Sequence, residues 1–284
     1  TGAGPYPDPN RAQPANVLLH GSDAHLIDVG DGAATRLAAA GVPLYTVRAI
    51  FVSHLHFDHI GGLAAILGLR WQTSARGPLT IYGPPGTQRM VDGLFDFMRP
   101  TTEFGSGIDG EALTPPNLNV EVVELRDGSR LQIGDLDVTA AQNTHYILSN
   151  GEFPSEEFQS LAFRFDLPGR AIVYTGDTGP SKAVEELARD ADLLVAEMMD
   201  TESQIQNLRN LERPPPEIVY EHLRLHHVTP EQVGEMAANA SVGKLVITHF
   251  SPGVTGPQEV ERYTQRVRSV FAGEVVIAGD LNRF

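Results

Sequence analysis

Apolar positions fall into short β-branched runs, separated by Gly- and Pro-containing turns and by longer segments with helical spacing. Val17-Leu18-Leu19 and His25-Leu26-Ile27 read as two strands joined by a turn at Gly21, with His20 and His25 beside the turn in structural roles. Asp28-Val29-Gly30-Asp31-Gly32 follows, then an Ala-rich helix to about Ala40 and a buried strand, Ala49-Ile50-Phe51-Val52. A helix opened by Asp58 runs through Leu63 to about Leu67. Leu79-Thr80-Ile81-Tyr82 is a strand, and a helix extends from Thr87 to about Met98. Further strands are expected over 120–124, 136–140, 160–165, 171–175 and 192–195, with a helix from Ser181 to about Arg189. Residues 200–225 read as an insertion of two short helices broken by Pro214-Pro215-Pro216. A helix opens at Thr229-Pro230-Glu231-Gln232, and Lys244-Leu245-Val246-Ile247 is the last strand. Residues 99–118, rich in Gly, Pro and Thr, form either a substrate-covering loop or a plain surface excursion.

At 284 residues such a chain forms one large α/β domain or two small ones. No apolar run approaches the roughly 20 residues of a membrane span, so no membrane partner is expected. The chain has no cysteine. Disulfides and thiolate ligands are thereby excluded, and any metal must be held by imidazole and carboxylate, which suits zinc, manganese or iron. A net charge of −15, with Lys182 and Lys244 the only lysines, argues against a large polyanionic partner. Arg262, Arg266 and Arg268 come nearest to a basic cluster and are read as a solvated helix face.

The densest chemistry lies in Ser53-His54-Leu55-His56-Phe57-Asp58-His59-Ile60-Gly61-Gly62, just after a buried strand. In extended backbone His54 and His56 point to the same side, and at the following turn Asp58 and His59 can face the same space. Four donors within six residues exceed what one ion needs once other ligands arrive, so two metals are expected. Asp177 follows Gly176 at a strand end, where its two oxygens can bridge two cations; a helix-capping role is the alternative. His145 and His249 each follow or end a strand.

His54-Leu-His56-Phe-Asp58-His59 resembles the signature of the metallo-β-lactamase superfamily. The resemblance implies an α/β fold, an αββα sandwich of two mixed β-sheets flanked by helices, with a metal centre at one edge. It covers nearly the whole chain, read as a single domain over 1–284 with active-site-covering segments at 99–118 and 200–225. It also implies the ligand sets: His54, His56 and His145 for one ion, Asp58, His59 and His249 for the other, Asp177 between them. Asp28 matches an aspartate that supports a metal-binding histidine; a turn and cap role is equally suited to it. Thr1-Gly2-Ala3-Gly4-Pro5 is similar to the turn after the superfamily's first strand, so N-terminal residues are expected to be missing, and cytoplasmic and exported locations stay open.

Tyr174-Thr-Gly-Asp177-Thr178, His227-Val-Thr229-Pro-Glu231-Gln232 and Thr248-His249-Phe250-Ser251-Pro252 look like the branch of ribonuclease Z, phosphodiesterases and zinc arylsulfatases. That resemblance implies a dinuclear hydrolase of a small phosphodiester, sulfate ester or related ester, with a metal-bridging hydroxide as nucleophile. The cofactors would be two divalent ions, zinc first, manganese or iron otherwise. Asp58, His227 and Glu197 would be the catalytic residues, with His227 as general acid oriented by Glu197 and with His222 and His226 as weaker candidates for substrate contact. Two departures are evident. Ala196 precedes Glu197 where ribonuclease Z has His, and no transfer-RNA-clamping arm lies between His145 and Asp177. With the charge, these lead to the expectation of a small-molecule ester substrate and no transfer RNA; a homodimer is left open. A lactonase or carboxylesterase on the same ligands, and a non-catalytic metal-binding member, are the alternatives.

Overall fold

The computed structural model describes residues 4–75, 77–254 and 256–284. Thr1–Ala3, part of the N-terminal turn reading, lie outside the described residues. Among the described residues the strands form two mixed sheets. The first comprises β1 (Asn16–His20), β2 (Asp23–Ile27), β3 (Val47–Phe51), β4 (Leu79–Gly83) and β5 (Val120–Glu124) in that spatial order. Only the β1–β2 pair is antiparallel. The second comprises β6 (Arg130–Ile133), β7 (Leu136–Gln142), β8 (Leu161–Leu167), β9 (Arg170–Tyr174), β10 (Leu193–Met199), β11 (Lys244–Ser251) and β12 (Glu274–Ile277), ordered β12-β11-β10-β9-β8-β7-β6. It is antiparallel from β6 to β9 and parallel from β9 to β12.

The central strands are buried on both faces, which is why they read as continuous apolar runs. Along β9 and β10, Ile172, Tyr174, Leu193 and Val195 face the first sheet. Ala171, Val173, Leu194 and Ala196 pack with helices on the other side. Those helices are α5 (Lys182–Leu187), α8 (Pro230–Asn239) and α9 (Pro257–Arg268), which contribute Val184, Met236 and Val267. The far face of the first sheet packs on α1 (Ala33–Ala39), α3 (Leu63–Gln72) and α4 (Thr87–Phe104) through Leu37, Ile66 and Val91. The result is the expected αββα sandwich. No described helix is long and apolar enough to cross a membrane.

Phe51 joins the two sheets. It stacks on Tyr82 (centroids 4.8 Å) and meets Phe163 and Phe165 edge-on at 5.5 and 4.9 Å. Phe51→Ala is therefore expected to cost about 3–5 kcal/mol of stability. Urea unfolding reads this directly, and a cost below about 1 kcal/mol would mean that the layers are not locked there.

Several elements differ from expectation. The expected Asp58–Leu67 helix is two helices, α2 (Phe57–Ile60) and α3. They break at Gly61-Gly62, where a Cβ on Gly62 would come within 2.3 Å of the Gly30 carbonyl oxygen. α4 runs past Met98 through Pro100 to Phe104, because Thr102 continues the buried stripe one turn after Met98. The expected loop is shortened to residues 105–119. β6 and β12 are short edge strands with few buried positions, so they lack a strong apolar signal. Arg266 is not a solvated charge: it binds Glu231 at 2.6 and 2.8 Å and Asp200 at 3.1 Å, and Arg262 stacks on Tyr263.

Candidate metal centre

Strand direction builds the site. β7, β9, β10 and β11 run the same way, so His145, Asp177, Glu197 and His249 all lie at or just beyond one end of the second sheet. The end of β3 meets them there with Ser53 to His59. Gly176 permits the approach: its φ is 60° and a Cβ would come within 2.7 Å of Ser53 Cβ. Asp28 (φ 58°) and His249 (φ 47°) also hold left-handed backbone, an unfavourable geometry for residues with a Cβ that recurs at functional sites.

The seven expected ligands converge. Donor atoms of His54, His56 and His145 lie within 4.8 Å of one another, as do those of Asp58, His59 and His249. Asp177 belongs to two further trios, one with His54 and His59 and one with His145 and His227. Its Oδ1 is 3.2 Å from His59 Nε2 and 3.0 Å from His249 Nε2. The capping role considered for Asp177 falls to Ser181, whose hydroxyl accepts from Val184 N at the start of α5.

The donors fit cations. His59 Nδ1 lies 2.7 Å from Asp28 Oδ2, and His145 Nδ1 lies 3.0 Å from the His226 carbonyl oxygen. Oxygens that only accept require Nδ1–H in both rings, so in the neutral rings each Nε2 is bare. His54 Nδ1 contacts Ser53 Oγ at 3.0 Å, and Ser53 donates in turn to Asp28 at 2.9 Å. The Nε2 atoms of His54 and His59 and Oδ1 of Asp177 are buried with no hydrogen-bond partner. Buried polar atoms left so are costly, and several aimed at one space suit a metal. Asp28 thus serves the histidines directly, through His59 and Ser53.

Electrostatics agree. Burial, helped by His59 and His145, holds His54 well below the usual imidazole range. Burial likewise depresses His145 strongly and His56 more mildly, so lone pairs are available on all three. At His59 burial opposes charge, but Asp177 and Asp28 outweigh it and raise the pKa well above normal. Burial disfavours the Asp177 anion, yet His249 and His59 outweigh that and keep it ionised. The centre attracts positive charge.

Beside it lies a cleft of about 440 Å³. His227 faces it and is held from behind by Glu197, whose two oxygens are each 2.9 Å from His227 Nδ1. Glu197 also accepts from Thr178 N at 2.7 Å. Both partners of this pair move upward. Burial dominates at Glu197, while at His227 the attraction of Glu197 overcomes burial and raises the pKa to about 9. The far wall comes from α6 (Thr201–Arg209) and α7 (Glu217–His226), through Gln204, Leu208, Val219 and His222. Residues 99–118 contribute nothing to the lining. Sequence reasoning missed Tyr146, whose ring packs at 5.9 and 5.4 Å from His54 and His56; its place beside His145 was the available signal. His20 and His25 stand apart, His20 paired with Asp135 at 2.7 Å and His25 buried on β2.

The Beta-lactamase superfamily domain matches residues 25–250. Ribonuclease Z of Mycobacterium avium (strain 104) is 30% identical over 282 residues, covering 98% of this chain and 94% of its own. Ribonuclease Z of Mycobacterium bovis (strain BCG / Pasteur 1173P2) is 29% identical over 284 residues, with the same coverage. Among solved structures, the metallo-beta-lactamase fold protein YhfI from Bacillus subtilis superposes with a TM-score of 0.69 at 20% identity, over 98% of this chain and 94% of its own. Human tRNase Z, short form, gives 0.67 at 22% identity, over 99% and 95%.

These relatives overturn the expectation of a small-molecule substrate and no transfer RNA. Net charge sums the whole surface, whereas a phosphate at this site meets the local field, and the carboxylates that favour positive charge here would hold divalent cations that attract it. The missing arm and Ala196 therefore do not carry the exclusion placed on them. The fold implies a divalent metal, and with sequence and architecture agreeing along the chain, the protein belongs to the metallo-β-lactamase superfamily as a hydrolase close to ribonuclease Z.

Proposed function

We propose that the protein is a two-metal phosphodiesterase that cleaves RNA, with transfer RNA as the substrate class. The observation that carries the two-metal reading is Asp177, a carboxylate whose donor trios include His54 and His145 of one ligand set and His59 of the other. The RNA reading rests on the ribonuclease Z relatives, which match along 98% of the chain.

His54, His56 and His145 would hold one ion and Asp58, His59 and His249 the other, with Asp177 placed near donors of both sets. Zinc is the expected element, with manganese or iron as substitutes; such ions supply Lewis acidity to the phosphoryl oxygens and to an attacking water. The remaining steps belong to the chain. Asp58 Oδ2 lies 3.9 and 3.8 Å from Nε2 of His59 and His249, which leaves its second oxygen to orient the attacking water. His227, kept charged by Glu197, donates its Nε2 proton to the leaving oxygen. The helices of residues 200–225 wall the cleft on that side.

Protein prepared in zinc- or manganese-containing medium is expected to hold two ions per chain and to cut a transfer RNA transcript with extended ends. Elemental analysis and gel electrophoresis of the RNA read the two halves separately. Metal-free protein from careful preparations would remove the metal reading. Metal-loaded protein that hydrolyses a bis-aryl phosphate yet leaves the transcript intact would remove RNA alone.

A further inference from the structure

Helix α7 carries two histidines one turn apart whose chemistry the mechanism above does not use. His222 and His226 are in hydrogen-bond contact through their Nδ1 atoms, and His226 Nε2 lies 2.6 Å from the Ile147 carbonyl oxygen. A carbonyl only accepts, so His226 Nε2 carries the hydrogen. In the neutral ring His226 Nδ1 is then bare, and His222 must donate from its own Nδ1. What remains is His222 Nε2, a bare acceptor on the cleft wall, since the one hydrogen-bond contact of this ring among the described residues is made by Nδ1. His222 lines the cleft, its ring centroid 6.1 Å from that of His145 and 6.2 Å from that of His227.

A bare acceptor one ring away from the metal ligands is wrong for a phosphate oxygen, which also only accepts. It needs a donor from the substrate. On RNA, base amino groups vary with sequence, whereas a ribose hydroxyl adjoins every phosphate and can donate. We propose that His222 contacts the substrate by accepting a hydrogen bond from the ribose 2′-hydroxyl beside the scissile phosphate, with His226 as the positioning residue that sets its tautomer. This assignment rests on the RNA reading above. It gives the cleft a means of preferring RNA over DNA without reading sequence.

The test has two arms. Imidazole nitrogen NMR of the zinc-loaded protein should find His222 as the Nδ1–H tautomer. His226→Phe, which removes the ring acceptor, should release that tautomer while metal content stays unchanged. His226→Gln should retain it, because the amide oxygen accepts from His222 and the amide nitrogen can donate to Ile147. In the cleavage arm, the substrate is paired with a copy carrying a single 2′-deoxy nucleotide at the cleavage position. Wild-type protein should lose roughly tenfold in kcat/KM on the deoxy copy, and His222→Ala should cut both copies equally, at the deoxy rate. An Nε2–H tautomer at His222, or an undiminished preference in His222→Ala, would overturn the proposal. No RNA cleavage by metal-loaded wild-type protein would overturn the RNA reading and the ribose contact with it, and the NMR arm would still decide the tautomer.

Discussion

His227→Ala should keep its metals and lose roughly 10²–10⁴-fold in the hydrolysis of a phosphodiester with a poor leaving group, RNA included. His227 lies outside the seven expected ligands, and its Nδ1 is taken up by both oxygens of Glu197. Its contribution is therefore a proton from Nε2 at the cleft. With the pKa raised to about 9 by Glu197 against the opposing effect of burial, the ring is charged at neutral pH and can act as an acid. A bis-aryl phosphate releases a phenolate of low pKa that departs without a proton, so the same variant should lose much less on that substrate. Glu197→Gln should act in the same direction and more weakly, since an amide orients the ring but does not stabilise its charge; the alkaline limb of the rate profile should then move to lower pH. Rates on the two substrates, with metal content measured alongside, decide the matter. Equal losses on good and poor leaving groups would make His227 a positioning residue instead.

Asp177→Ala should behave differently, with metals lost or displaced and both substrates affected alike, by at least roughly 10³-fold. Asp177 is the carboxylate within reach of His54 and His145 on one side, and on the other it lies 3.2 Å from His59 and 3.0 Å from His249. Removing it takes away the charge that the surrounding imidazoles and any cations share. Because the loss falls on the centre and not on the leaving group, a good leaving group should give no rescue. Elemental analysis showing two ions in Asp177→Ala, with bis-aryl phosphate hydrolysis near the wild-type rate, would remove Asp177 from the centre.

The contrast between these variants depends on where the chain wrote its chemistry. His54 to His59 was legible because six consecutive residues after a buried strand set their own local geometry. Asp177 and His249 were legible as acidic or imidazole groups at strand ends, and Glu197 and His227 through resemblance. The central strands β9, β10 and β11 were legible too, since they are apolar on both faces, and their stacking into layers was implied by the resemblance. The edge strands β6 and β12, the continuation of α4 through Pro100 and the break at Gly61-Gly62 were not, because each is decided by a neighbour distant in sequence. The same holds for Arg262 and Arg266, which look solvated until Asp200 and Glu231 are brought beside them.

By itself the sequence determined most strands and helices and the identity, order and local spacing of the candidate donors, all properties of short segments with periods of two or about 3.6 residues; the layering came from the family resemblance. Tertiary structure alone decided which nitrogen carries the hydrogen in His59, His145 and His226. Asp28 pins His59 across 31 positions, the His226 carbonyl pins His145 across 81, and Ile147 holds His226 across 79. Such contacts leave no periodic trace, because hydrogen-bond partners are chosen by proximity after the sheets have paired.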